Sequence, residues 1–122
     1  MKSLRVLVIE DEAIIGMLLR EVLEGMGHTV VGVAATEGAA VALAAEYQPD
    51  LLIVDAGLTS GDGLSAVDTI TGVRFVPHIF TTGNAMNVRL AKPDAVILEK
   101  PFDEEALIAA MERALALASD GD

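Results

Sequence analysis

The 122-residue sequence contains no cysteine and no tryptophan, and it has only one tyrosine and three phenylalanines. The lack of cysteine excludes disulfide bonds and thiolate metal ligands. With so few aromatic rings, the core has to be built from valine, isoleucine, leucine, alanine and methionine. A hydrophobic content of 52% over this length suits one domain with its own core. We therefore expect a single domain spanning residues 1–122, with no effector domain attached.

Basic residues are also scarce. Eight lysines and arginines stand against 19 aspartates and glutamates, which gives a formal charge of −11. Nucleic acids and anionic membranes are disfavoured as partners, because their binders need basic residues to displace counterions. No apolar run approaches the length of a membrane span, and the N-terminus is unlike a signal peptide. We expect a soluble cytoplasmic protein.

Two short apolar runs end abruptly in acidic residues. The first, residues 7–9, is followed by Glu10 and Asp11, and the second, residues 51–54, is followed by Asp55. This pattern is typical of buried parallel strands whose carboxyl ends carry chemistry. If the two strands are neighbours, the three carboxylates converge. They would then repel one another, so the arrangement requires a bound cation or raised pKa values.

Hydrophobic periodicity predicts strands and helices in strict alternation. The strands are expected at residues 4–9, 28–34, 51–54, 75–81 and 95–98. The helices are expected at about residues 13–26, 37–47, 63–71, 85–91 and 103–118. The fourth helix is short enough to be marginal without tertiary support. Because parallel strands need crossover connections, this alternation predicts an α/β doubly wound sheet.

The first predicted helix carries more apolar residues than one buried face needs. The residues at helical spacing are Ile15, Leu18, Leu19, Val22 and Met26. Three more apolar residues widen this stripe: Ile14, Met17 and Leu23. Deep packing of the helix is the preferred interpretation, and a docking surface is the alternative.

Further motifs lie at the other predicted strand ends and loops. They are Asp62-Gly63, Thr82-Gly83 and Lys100-Pro101-Phe102. Together with Glu10-Asp11 and Asp55, they resemble the receiver domain of bacterial two-component response regulators over essentially the whole chain. The resemblance implies a flavodoxin-like, five-stranded parallel sheet with strand order 2-1-3-4-5 and a short or irregular fourth helix.

The resemblance also implies a phosphoacceptor site. Asp55 would take a phosphoryl group from a histidine kinase or phosphotransfer protein. Mg²⁺ would be held by Glu10, Asp11, Asp55 and the backbone carbonyl of Gly57, since this ion prefers oxygen ligands. In a purely structural interpretation, Asp55 would cap a loop and the other acids would face a helix dipole.

Other residues would act on the transferred group. Thr82 would donate its hydroxyl to a phosphoryl oxygen, and Lys100 would neutralise phosphoryl charge. Thr81 is the alternative to Thr82, because strand alternation points only one of them at the pocket. The resemblance further implies that Gly83 leaves room for the group and that a cis bond precedes Pro101.

The sequence departs from most receivers between its fourth and fifth strands. Ile97 stands where many receivers carry a tyrosine or phenylalanine that reports phosphorylation. The connection is also about one helical turn shorter than usual, and we expect residues 83–94 to move on phosphorylation. Residues 80–83, Phe-Thr-Thr-Gly, resemble the Phe-Ala-Thr-Gly motif of a divergent receiver subgroup from alphaproteobacterial stress signalling.

The sequence also offers candidate residues for partner contacts and leaves two other functions to consider. Ile14, Ile15 and Leu18 are candidates for kinase docking beside the pocket, while the downstream protein target is not indicated. A receiver-fold binding module that is never phosphorylated is one alternative, and a Mg²⁺-dependent phosphatase is another. The phosphatase would need a second acid where Gly57 stands. We therefore expect a protein that is not an enzyme and assists only its own phosphorylation and dephosphorylation.

Overall fold

The computed structural model describes residues 2–58 and 60–120. Within these ranges, parallel strands and helices alternate along the chain. The strands are β1 (Arg5–Ile9), β2 (Thr29–Ala34), β3 (Leu51–Asp55), β4 (His78–Thr82) and β5 (Val96–Glu99). The helices are α1 (Ala13–Gly25), α2 (Glu37–Tyr47), α3 (Gly63–Val73), α4 (Ala85–Ala91) and α5 (Glu104–Asp120). None of them is long and apolar enough to cross a membrane.

The strands form one sheet in the order β2-β1-β3-β4-β5, which confirms the predicted flavodoxin-like topology. Side chains alternate between its two faces. Val8 and Ile53 pack in a cluster with residues of α1 and α5. Their strand neighbours Ile9 and Val54 pack in a second cluster with residues of α2, α3 and α4. Burial of both faces explains why the central strands are continuous apolar runs.

Helix α1 buries less of its apolar surface than the preferred interpretation required. Leu19 and Leu23 lie one turn apart and are buried against the sheet. Ile14, Met17 and Leu18 are 71%, 58% and 51% exposed. Deep packing is therefore wrong for these three residues, which lie on the side of the helix turned away from the sheet.

Strand β4 begins three residues later than predicted, at His78 rather than Phe75. The carbonyl of Pro77 accepts a hydrogen bond from the Leu52 N–H at 2.9 Å. Pro77 has no N–H to donate in return, so the ladder between the two strands begins at the next residue. The strand also extends one residue further, so Thr82 lies inside it.

Helix α4 has the seven residues that the sequence predicted. The Asn84 side chain caps it by accepting a hydrogen bond from the Asn87 N–H at 3.3 Å. Val88 is its buried anchor, and an ion pair between Lys92 and Asp68 links its C-terminal end to α3. These contacts supply the tertiary support that so short a helix requires.

Candidate functional site

The acidic residues converge at the carboxyl edge of the sheet. Strands β1 and β3 are neighbours, with Ile9 paired to Val54, so the residues that follow them emerge side by side. One carboxylate oxygen from each of Glu10, Asp11 and Asp55 lies within 4.8 Å of the others. In residues 2–58 and 60–120, this is the one group of three or more acidic or histidine side chains that could hold a metal ion.

Glu10 is held in a largely desolvated position. It is 2% exposed, and its N–H donates to the Ala34 carbonyl at 2.8 Å. Its Oε2 accepts a hydrogen bond from the Glu12 N–H at 3.1 Å. Burial raises the pKa of Glu10 from 4.5 to about 7, with a further contribution from Asp55, although the Glu12 N–H and Lys100 oppose the rise. Burial thus outweighs the favourable contacts that the Glu10 carboxylate makes.

Lys100 supplies a cation from the far end of the chain. Its backbone N–H donates to the Thr82 carbonyl at 2.8 Å, which places it just beyond β5 at the same sheet edge. Its Nζ lies 3.5 Å from Glu10 Oε1 and 3.5 Å from Asp55 Oδ2. The peptide bond to Pro101 is cis, as the resemblance implied.

Asp55 is buried and is oriented from both sides. Its Oδ1 accepts a hydrogen bond from the Gly57 N–H at 3.0 Å, while Oδ2 faces Lys100. Gly63, the first residue of α3, packs directly on the backbone of Asp55. A Cβ at Gly63 would lie 2.2 Å from the Asp55 carbonyl oxygen, so only glycine fits there. The structure therefore gives a physical reason for the glycine of the Asp62-Gly63 motif.

Two threonines end β4, and both are buried. Thr81 lies within the ladder, between Asp55 of β3 and Leu98 of β5. Thr82 is the last strand residue, and its Oγ1 accepts a hydrogen bond from the Asn84 N–H at 3.0 Å. No heavy atom lies within 4 Å of a Cβ built on Gly83, so the next position borders open space. Thr82 is the threonine beside this opening.

The donor set suits Mg²⁺. It consists of carboxylate oxygens that lie within 4.8 Å of one another, and Mg²⁺ is a hard cation that takes oxygen ligands. Burial raises the pKa of Glu10 by disfavouring its charged form, and a bound cation would offset that cost. Gly57 is exposed beside these acids, and its N–H already bonds to Asp55.

An apolar groove of about 520 Å³ adjoins the acidic pocket. Helix α1 lines it with Ile15, Leu18 and Val22, and the start of α5 and its preceding loop line it with Phe102 and Leu107. Lys100 and Pro101 also border it, so the groove and the acidic pocket share a wall. Ile14 lies on the same helix and is exposed.

The response regulator receiver domain model matches residues 6–112 of the chain. The chain belongs to this family. The receiver domain is 38% identical over 114 residues to the phyllosphere-induced regulator PhyR of Methylorubrum extorquens, a match that covers 90% of this chain and 43% of that protein. It is 37% identical over 116 residues to the transcriptional regulatory protein PdtaR of Mycobacterium tuberculosis, covering 92% and 57%. The chain thus spans about half the length of these relatives.

Solved structures give the same family. The receiver domain of PhyR from Erythrobacter litoralis is 35% identical with a TM-score of 0.80, covering 93% of this chain and 90% of that one. The anti-anti-sigma factor PhyR from Bartonella quintana is 30% identical with a TM-score of 0.83, covering 99% and 51%. These matches support the alphaproteobacterial type of receiver that residues 80–83 indicated.

One residue close to the site was not singled out from the sequence. Glu37 begins α2, yet both of its carboxylate oxygens accept hydrogen bonds from the region that follows the β3 loop. In the sequence it resembles an ordinary first-turn acid facing a helix dipole. Its partners are 25 and 28 residues away, so no local pattern could have revealed them.

Proposed function

We propose that this receiver domain accepts a phosphoryl group on Asp55 from the phosphohistidine of a histidine kinase or phosphotransfer protein, in a Mg²⁺-dependent reaction. The observation that carries the proposal is the convergence of three carboxylates within 4.8 Å, with the Lys100 ammonium 3.5 Å from two of them. The family match supports a phosphorylatable signalling domain. We also propose that the domain acts in the cytoplasm.

The reaction transfers one phosphoryl group. A carboxylate oxygen of Asp55 attacks the phosphorus, an O–P bond forms, and the N–P bond of the phosphohistidine breaks as its electron pair returns to the imidazole. Lys100 stabilises the negative charge of the phosphoryl oxygens during transfer. The Thr82 hydroxyl donates to one of these oxygens, and the open space at Gly83 admits the group. The Gly57 N–H keeps the Asp55 carboxylate in one orientation.

The side chains of Glu10, Asp11 and Asp55, with the backbone carbonyl of Gly57, would hold Mg²⁺. When bound, Mg²⁺ supplies positive charge between the carboxylates and the incoming phosphoryl oxygen. Two observations support this assignment. The three carboxylates offer the oxygen ligands that the ion prefers, and burial raises the pKa of Glu10, a cost that a bound cation would offset.

The groove beside the pocket is the proposed docking site for the phosphoryl donor. Ile15 and Leu18 line it, and Ile14 adds exposed apolar surface to the same helix. A donor bound there would bring its phosphohistidine towards Lys100, which borders both the groove and the acidic pocket.

Output would run through a changed protein contact. Thr82 and Lys100 are drawn to the phosphoryl group, and the residues attached to them, Gly83 and Pro101, move with them. Helix α4 begins two residues after Gly83, so its surface changes, while Ile97 offers no aromatic side chain to rotate. The Bartonella quintana relative is named an anti-anti-sigma factor, and we propose that the target here is also a protein.

Acetyl phosphate with Mg²⁺ tests the proposal, with intact mass as the measurement. The wild-type protein should gain one base-labile phosphoryl group, and Asp55→Asn should gain none. Asp94→Asn removes an exposed carboxylate elsewhere and should label like the wild type. Equal labelling of Asp55→Asn would place the acceptor elsewhere. If neither acetyl phosphate nor a cognate kinase labels the wild type, the chain is a binding module, whereas steady ester hydrolysis would make it a phosphatase.

A further inference from the structure

Glu37 makes an unusual set of contacts for the first residue of a helix. Its Oε1 accepts a hydrogen bond from the Asp62 N–H at 3.0 Å, and its Oε2 accepts one from Ser65 Oγ at 2.8 Å. Its own N–H donates to the Ser60 carbonyl at 3.3 Å. First-turn acids usually extend into solvent, but this side chain is partly buried and bridges the start of α2 to the start of α3.

The backbone after β3 is packed against Glu37 on one side. Gly61 has a φ of +91°, and a Cβ there would lie 2.5 Å from the Glu37 Cβ. Asp62 follows and caps α3, with its Oδ1 accepting from the Leu64 N–H at 2.9 Å. Glu37 therefore bonds to the residue at which α3 begins, and the glycine before it leaves room for this contact.

The same short segment touches the phosphoacceptor on its other side. Gly63 lies so close to Asp55 that a Cβ would be 2.2 Å from its carbonyl oxygen. Glu37 binds Asp62 and Ser65, which lie on either side of Gly63 in the sequence. The start of α3 is thus held between Glu37 and the backbone of Asp55, and its release would remove the support on which Asp55 rests.

We propose that Glu37 is a positioning residue for the phosphoacceptor: by holding the start of α3, it fixes the described loop residues 56–58 and 60–62, which follow Asp55, in the geometry that Mg²⁺ binding and phosphorylation require. This inference rests on the proposed function of Asp55. The loop contains Gly57, whose N–H orients the Asp55 carboxylate and whose carbonyl is a proposed Mg²⁺ ligand. The hydrogen bonds of Glu37 are made to Ser60, Asp62 and Ser65 and not to Asp55 or Gly57. Glu37 therefore acts on the site through the loop.

A purely electrostatic role of Glu37 can be separated from its proposed role in holding the start of α3. Glu37 is also an acid in the first turn of α2, where its charge favours the helix dipole. Glutamine at this position loses the charge but keeps an oxygen for the Asp62 N–H and an amide that can donate to Ser65 Oγ. Glu37→Gln should therefore preserve positioning, whereas Glu37→Ala should abolish it.

The experiment measures Mg²⁺ affinity by calorimetry, phosphorylation rate with acetyl phosphate, and hydrogen exchange of the Asp62 amide by NMR. Glu37→Ala should expose that amide to faster exchange and lower both Mg²⁺ affinity and phosphorylation rate by about tenfold, the size typical of lost supporting contacts. Glu37→Gln should stay within about twofold of wild type. Glu46→Ala, an exposed acid on the last turn of α2, should match the wild type in all three.

Ser65→Ala removes one of the two side-chain contacts and carries the test if Glu37→Ala does not fold. It should lower affinity and rate in the same direction, by about threefold. Wild-type affinity and rate in Glu37→Ala, or in Ser65→Ala as its substitute, would overturn the inference, and so would equal losses in the glutamine and alanine variants. A wild-type protein that takes up neither Mg²⁺ nor a phosphoryl group would instead refute the proposed function.

Discussion

Without Mg²⁺, the fold should become less stable as the pH rises, and Glu10 should be the cause. Burial, with a contribution from Asp55, raises the pKa of Glu10 from 4.5 to about 7. Between those values the folded protein keeps a proton that the unfolded chain has lost. The free energy of unfolding therefore falls with rising pH in this window, because the folded state binds more protons. Below this window Glu10 is protonated in both the folded and the unfolded state. Above it, the folded state carries the full free-energy cost of the buried, ionised Glu10 carboxylate.

The size of the effect follows from the two pKa values. A rise from 4.5 to about 7 corresponds to roughly 3 kcal/mol of lost stability at high pH. This is a large share of the 5–15 kcal/mol or so that stabilises a typical domain. Urea unfolding followed by circular dichroism in a chelator, at pH 5 and pH 8, should show it. Glu10→Gln is the control, because it is nearly isosteric and cannot ionise.

The difference in the free energy of unfolding between the wild type and Glu10→Gln separates the contribution of Glu10 from that of the other carboxylates. The stability of Glu10→Gln relative to the wild type should increase by roughly 2–3 kcal/mol between pH 5 and pH 8. Saturating Mg²⁺ should stabilise the wild type at pH 8 and reduce this gap, because the ion favours the ionised carboxylate. Parallel pH profiles of the two proteins in chelator would refute the argument that burial of Glu10 is costly.

Three further predictions concern single side chains. Asp11→Ala should weaken Mg²⁺ binding at least about tenfold by calorimetry, and unchanged affinity would refute its role as a ligand. Lys100→Ala should keep its Mg²⁺ affinity but slow phosphorylation by acetyl phosphate about a hundredfold, since it removes charge from the transition state; lost Mg²⁺ affinity would contradict this. Leu23→Ala should lower the free energy of unfolding by about 2–5 kcal/mol, because Leu23 is fully buried, while the half-exposed Leu18→Ala should change it by about 0.5 kcal/mol or less. Equal losses in both would show that α1 packs differently.

The strand ends could be predicted from the sequence because β1 and β3 are buried on both faces. Their aliphatic runs stop where a carboxylate begins, and neighbouring parallel strands end at the same sheet edge. The orientation of α1 could not be predicted in the same way. Apolar residues occur around so much of that helix that periodicity does not single out one face, and packing against the sheet selects Leu19 and Leu23.

The remaining differences between the sequence-based predictions and the structure arise from contacts between distant parts of the chain. The start of β4 depends on the hydrogen bond between the Leu52 N–H and Pro77, so strand propensity alone placed it too early. Glu37 was missed because its partners, Asp62 and Ser65, belong to another helix. Local sequence patterns report which element a residue belongs to, but they do not report which distant backbone groups its side chain satisfies.

The exposed side chains of α1 have a consequence for the behaviour of the protein in solution. The exposed apolar surface of Ile14, Met17 and Leu18 favours self-association. The net charge of −11 opposes it at neutral pH, because the molecules repel one another. That repulsion vanishes towards the isoelectric point near pH 4.4. Light scattering should therefore detect clustering on acidification, and Leu18→Glu should delay it.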